Sequence, residues 1–452
     1  MNSGCHRLVF SKSRGMVVAV AETAIANGSA GRVKTKSSGP SRRIAKRVMR
    51  HAALAALALL GLSPALSIAQ IVPSGAHAPG VISTANGLPQ VNIQKPSGAG
   101  VSLNTYSQFD VSRSGAILNN SSVITSTQLA GQISGNPNFG ANDAAKIIVN
   151  QVNSNNPSQL RGYIEVAGKK ADVVVANPSG IVVDGGGFIN TSRGILTTGN
   201  PLFDANGNLT GFNVTQGNIA VQGDGFNASN LDQVDLIARA VQVNAALYAN
   251  KLNVVTGANN VDYASLNATP TTGTGTVPSV SIDVAQLGGM YANTILLTSN
   301  EYGVGVNNAG VIEAQAGDLT LTSAGQLVQS GKMSASGNLA INAASVANSG
   351  TAYAQGTTTV STSGVLSSTG IAFTMTGVGI AADFIGQLAS PNTGAYIFNG
   401  FTGFVSAALS SASPSATPII NELINSVNGS GVASSAQDKL NVIFGAKSSG
   451  GK

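Results

Sequence analysis

A chain of 452 residues with a formal net charge of +6, 9% charged residues, 55 glycines, no tryptophan and one cysteine is unevenly put together. Residues 1–69 hold 11 Lys or Arg and a single acidic residue, Glu22, which leaves 13 basic and 17 acidic residues beyond them. That remainder is slightly acidic and has only Lys169-Lys170 as adjacent basic residues, which excludes a nucleic-acid footprint. Because the one cysteine is Cys5, disulfides and thiolate metal sites are excluded beyond the leader as well.

The leader reads as an export signal. Arg42, Arg43, Lys46, Arg47 and Arg50 precede an apolar run from Ala52 to Leu62, and Ser67-Ile-Ala69 gives the small-x-small pattern of a cleavage site, so the mature chain is expected to start at Gln70, after Ala69. The apolar run is short of the roughly 20 residues that span a bilayer. Some 40 residues lie ahead of the basic run. Their start, MNSGCHRLVFSKSRGMVVAVAETAIA, resembles the extended signal-peptide region of large exported proteins.

Beyond the leader, short apolar runs recur between turn-forming residues: Lys146-Ile-Ile-Val149, Asp172-Val-Val-Val175, Gly180-Ile-Val-Val183 and Asn253-Val-Val-Thr256. Low charge with regular hydrophobic runs points to short strands and not to disorder. From Asn308 to Gly364 the strands repeat. Asn-Ala-Gly310, Gln-Ser-Gly331 and Asn-Ser-Gly350 open three units, each continued by Ala-Gly-Asp-Leu-Thr-Leu-Thr (316–322), Ser-Gly-Asn-Leu-Ala-Ile-Asn (336–342) or Gln-Gly-Thr-Thr-Thr-Val-Ser (355–361). A unit of about 20 residues buries its inward face only by stacking on its neighbours. The expected fold is all-β, a right-handed parallel β-helix. At about 4.8 Å per coil, residues 91–370 would give at most on the order of 14 coils, fewer if hairpins leave the coil.

The last 80 residues break the pattern. Thr417-Pro418 with apolar residues at 419, 420, 423, 424 and 427 predicts a short amphipathic helix ending at Asn428-Gly429, and Ser435 to Phe444 predicts a second. Such helices would cap the last open coil. A disordered tail is the alternative.

Residues 91–199 carry a family resemblance. Val91 to Asn120, VNIQKPSGAGVSLNTYSQFDVSRSGAILNN, resembles the opening of the two-partner secretion, or haemagglutination activity, domain of filamentous-haemagglutinin exoproteins. Gly135-Asn136-Pro137-Asn138-Phe139 is similar to that family's N-P-N-L motif with Phe for Leu, and Asn177-Pro178-Ser179-Gly180-Ile181 to its N-P-N-G-I motif with Ser for Asn. Gly162 to Gly168, Ala171 to Ala176 and Gly187 to Arg193 fit the same order, and the later repeats resemble haemagglutinin repeats. Read physically, Asn-Pro pairs are rigid turns, since Pro fixes φ and Asn closes an Asx turn. In the family these turns are also candidates for reading by the transporter.

The resemblance implies four regions: 1–69, an extended signal peptide; 70–270, the two-partner secretion β-helix domain; 271–370, haemagglutinin-type β-helix repeats; and 371–452, a C-terminal cap or tail with short helices. It implies secretion by way of the periplasm and an outer-membrane β-barrel transporter with periplasmic POTRA domains, followed by folding outside. The expected role is that of an adhesin with a host or neighbouring-cell ligand. The alternative is the truncated delivery stem of a contact-dependent growth-inhibition toxin or haemolysin, since no effector domain is visible after Gly364.

Catalysis and cofactors are not expected. Beyond the leader the only histidine is His77, on a Pro/Gly-flanked stretch, too little for a triad. Asp232 with Asp235, and Asp172 with Asp184, are pairs a glycosidase could use, but they stand apart from other charges and read as solvated turn residues. Asp184-Gly-Gly-Gly187 and Asp224-Gly225 lack the full calcium-turn repeat and any phosphate-loop lysine. No metal site is predicted.

Overall fold

A computed structural model describes the leader strands His6–Ser11 and Met16–Ala21 and residues 71–369. The two leader strands pair with each other antiparallel, Val9 opposite Val18. The expected cleavage site at Ala69 and Gln70 and the helices expected at 417–427 and 435–444 lie outside the described residues.

Residues 71–369 form the expected parallel β-helix. Successive coils begin at Val101, Ile147, Ala171, Thr191, Gln233, Leu252, Ile295, Leu319, Leu339 and Thr358, each stacked in parallel register on the one before. Ten coils at about 4.8 Å make a rod of roughly 45 Å. A coil has three walls. In the coil that starts at Ile147–Val152, the second and third walls are Ser158–Leu160 and Tyr163–Gly168.

The coil number falls short of 14 because three insertions leave the rod. One carries the hairpin Thr125–Thr127 and Gly131–Ile133. Another carries Asn200–Phe203 and Leu209–Val214. The third carries Asn259–Asp262 and Ala268–Pro270.

The repeat seen in the sequence has a direct structural cause. Leu319 pairs with Leu339 and Leu339 with Thr358, while Leu319, Leu321, Leu339 and Ile341 all point into the core. The Asp and Asn of the second repeated motif act upward on the next coil. Asp318 Oδ1 accepts the Asn338 amide at 2.7 Å, and Asn338 Oδ1 accepts the Thr357 amide at 2.9 Å. The Asn and Gln that open each unit form an interior ladder, Asn308 Nδ2 donating to Gln329 Oε1 at 2.8 Å. Two residues on, the stacked corners come so close that a Cβ at Gly331 would overlap the carbonyl of Gly310, and one at Gly350 that of Gly331. Gly is required there by space and not by φ.

One interior core runs the length of the rod, from Ile71 to Ala354, with the buried alanines 228, 249, 292, 314, 335 and 354 stacked in one column. The first coil is closed by Ile71–Pro73, antiparallel to Val101–Phe109, and by the hairpin Gly80–Ser83 with Pro89–Asn92, the latter laid parallel on Ala116–Asn120. Covering an open sheet end in this way blocks edge-to-edge association.

A second, smaller core lies outside the rod. The strands of the second and third insertions join into one antiparallel four-stranded sheet in chain order. Its Leu209, Phe212, Val214 and Val261 pack on Val101, Val149, Val174, Ile195, Ile237 and Val255, which point outward from the first wall.

Candidate functional site: the Asn-Pro turns and the outer sheet

Both Asn-Pro motifs fold into the same device. In each, a turn bond closes onto the Asn carbonyl, from the Phe139 amide to Asn136 at 3.1 Å and from the Gly180 amide to Asn177 at 3.0 Å. The Asn side-chain oxygen accepts the amide two residues on, Asn138 at 2.9 Å and Ser179 at 2.9 Å, which is an Asx turn.

The amide nitrogen then ties the turn to neighbouring chain. Asn136 Nδ2 donates to the carbonyls of Ile93 and Asn119, both at 2.9 Å, and Asn177 Nδ2 donates to the Asn156 carbonyl at 2.9 Å and to Ser158 Oγ at 3.0 Å. The Asn side chains are consumed by these bonds. Asn136 is 2% exposed and Asn177 fully buried, whereas Pro137 and Asn138 are exposed and Pro178 and Ser179 half-buried. Phe139 packs on the main core, Ile181 is part of it, and Gly180 takes φ +114°, a conformation that favours glycine. The Ser179 hydroxyl donates to the Ser154 carbonyl at 2.8 Å, so Ser in place of the family's Asn keeps a tie here.

The carboxylates of interest each have a partner, and two are not solvated as the sequence suggests. Asp235 is wholly buried beneath the outer sheet, paired with Arg193 and bonded by Asn253 Nδ2 at 2.7 Å and Gln233 Nε2 at 2.9 Å. Asp172 accepts the Tyr263 hydroxyl at 2.7 Å, and the Arg193 guanidinium lies 4.6 Å from the centre of the Tyr263 ring. The reason is the outer sheet, which carries Tyr263 onto the first wall. Asp232 is exposed against Lys170 at 3.2 Å, Asp184 caps the Asp224 amide at 2.9 Å, and His77 is exposed.

Burial pushes the Asp172 carboxyl above its ordinary value, against the smaller opposing effects of the Tyr263 hydrogen bond and Arg193. The Tyr263 phenol is likewise raised, first by burial and then by Asp172. A carboxyl raised by folding stabilises fully below its unfolded value of about 4 and loses that contribution as pH rises through the folded value. Relative to the parent, Asp172→Asn is therefore expected to gain stability between about pH 4 and neutrality. Urea midpoints of the two proteins across that range would show it, and a difference independent of pH would contradict it.

The chain has relatives among known proteins. The TPS secretion domain family matches residues 69–329. The family described as the extended signal peptide of the type V secretion system matches residues 1–64. The chain is 56% identical over 333 residues, 73% of its length, to the tRNA nuclease CdiA-2 of Burkholderia pseudomallei, and 47% identical over 338 residues to the toxin CdiA of Yersinia pestis. Those matches span only 11% and 10% of the two relatives. Among solved structures, a filamentous hemagglutinin secretion domain is similar at 30% identity and a TM-score of 0.51, covering 67% of this chain and 98% of that one.

Proposed function

We propose, since this chain belongs to the TPS secretion domain family, that residues 70–270 are the export signal and folding nucleus of a toxin-delivering exoprotein, and that 271–370 begin its repetitive stem. The protein is secreted through the outer membrane to the cell surface or beyond, with an outer-membrane transporter as its partner. Its TPS region is structural and non-enzymatic. The delivery reading is carried by the 56% identity to a CdiA protein over most of this chain. An adhesin built on the same rod, holding a host or neighbouring-cell ligand, is the competing role.

For the transporter, we infer that the Asn-Pro segments are read while the chain is extended. Folding removes the Asn136 and Asn177 side chains from any partner, so a transporter that recognises them must meet them first. An unfolded strand offers its N–H and C=O groups to the periplasmic POTRA domains by strand addition. Once the turns close, those groups belong to the rod.

The test is expression with and without the cognate transporter, with assay of the medium. Secreted chain is expected only with the transporter, and equal appearance without it would overturn the export reading. Delivery and adhesion separate in co-culture: adhesion predicts that purified secreted chain is retained on target cells by itself, delivery that it is not.

A further inference from the structure

We infer that the outer four-stranded sheet is a clasp, which locks the first coils of the rod only after residues 259–263 have joined them. The sheet draws its strands from two insertions far apart in the chain. Leu209–Val214 has its central partner only when Asn259–Asp262 arrives, with Gly211 opposite Asp262 and Val214 opposite Asn259. What the sheet covers is earlier in the chain than what completes it. Val101 on the first coil and the stacked column of Val149, Val174 and Ile195 on the next three receive Leu209, Phe212 and Val214 from one insertion and Val261 from the other.

The hairpin tip reaches back to the start of the rod, where Ser97 Oγ donates to the Gly207 carbonyl at 3.1 Å. Tyr263 is the bolt. Its hydroxyl reaches Asp172, 91 residues earlier, and its ring supports Arg193, which holds the buried Asp235. Side chains from two coils thus meet at one residue of the third insertion, and Arg193 links that residue to Asp235 of a third coil.

Before that residue arrives, the coils beginning at Ile147, Ala171 and Thr191 are stacked but carry an uncovered apolar outer column. Interior packing and parallel pairing need only neighbouring coils, whereas the clasp needs a contact of high sequence separation, whose loop-closure entropy delays it. Assembly then has two stages, coils first and clasp second. For a chain leaving the cell with its N-terminus first, closure would mark the emergence of five full coils and the first wall of the sixth. That consequence rests on the export reading above, and the clasp itself does not.

Refolding of the mature chain from urea, without transporter, tests it by pulsed hydrogen exchange read by mass spectrometry. Ile147–Val152 and Ala171–Ala176 are expected to gain protection first, and Leu209–Val214 and Asn259–Asp262 later and together. Fluorescence of a hydrophobic dye should rise with the first phase and decay with the second. Tyr263→Ala is expected to slow the second phase about tenfold and leave the first unchanged, and Tyr263→Phe, which keeps the ring, to slow it less. Simultaneous protection of all four strands, or equal slowing of both phases by Tyr263→Phe, would overturn the clasp while leaving the transporter dependence of export untouched.

Discussion

Replacing Arg193 with alanine is expected to destabilise the domain by about 3–5 kcal/mol, the cost of leaving a buried charge without its partner. Asp235 is completely buried, and without Arg193 its remaining donors are the uncharged amides of Gln233 and Asn253. The same change strips the cation from the Tyr263 ring, so the outer sheet loses a contact with the rod. Removing both charges should cost far less. A double replacement, Arg193→Met with Asp235→Leu, exchanges the pair for apolar volume beside Ile195, the stacked neighbour of Asp235, and is expected within about 1–2 kcal/mol of the parent. Chemical denaturation of the two variants decides the point. If the double variant is no more stable than Arg193→Ala, the pair is not acting as an isolated buried charge couple.

That pair is also where the sequence was hardest to read. The stacked rod was legible because two of its devices leave periodic marks: apolar alternation at Leu319-Thr-Leu321 and Leu339-Ala-Ile341, and the Gly corners at 310, 331 and 350. The Asx turns were legible because Pro dictates the conformation of the Asn before it. The outer sheet leaves no repeat, since each insertion occurs once. Its signal was nonetheless present. Ile147-Ile-Val149 and Val173-Val-Val175 do not alternate, and an unbroken apolar strand is one covered on both faces. Leu319-Thr-Leu321 alternates, and Thr320 is indeed half-exposed on a later coil of the first wall, which the outer sheet does not reach. The contrast between the two kinds of strand marks where the covering layer ends. Once it is seen, an acidic residue beside an unbroken run, such as Asp172, is better read as lying beneath a partner than as a solvated turn. What the sequence could not supply is which later residue covers it, because Tyr263 lies 91 positions away with no pattern linking the two.

Asn177→Ala separates the two roles of the Asn-Pro turns, and it is expected to cost about 3–4 kcal/mol of stability. The loss has three parts: the Asx bond to the Ser179 amide, and the two donations that leave the Asn156 carbonyl and the Ser158 hydroxyl without that partner. Asn177→Asp keeps the acceptor and loses the donors, so it isolates the ties to the preceding coil from the turn itself. Asn136→Ala removes the equivalent set at Ile93, Asn119 and Asn138, and should fall in the same range. Stability alone does not show that the transporter reads either motif, because any weakened rod could be exported poorly. A control of matched stability is needed. Val174→Ala, in the core shared by rod and outer sheet, removes only apolar packing and is expected to cost about 2–3 kcal/mol. If the Asn side chains are recognised in the extended chain, the two Asn variants should appear in the medium more slowly than Val174→Ala even after differences in stability are allowed for. Should export fall on a single line with stability for all of these variants, the turns serve only to fold the rod, and recognition by the transporter must be sought in another segment of residues 70–270.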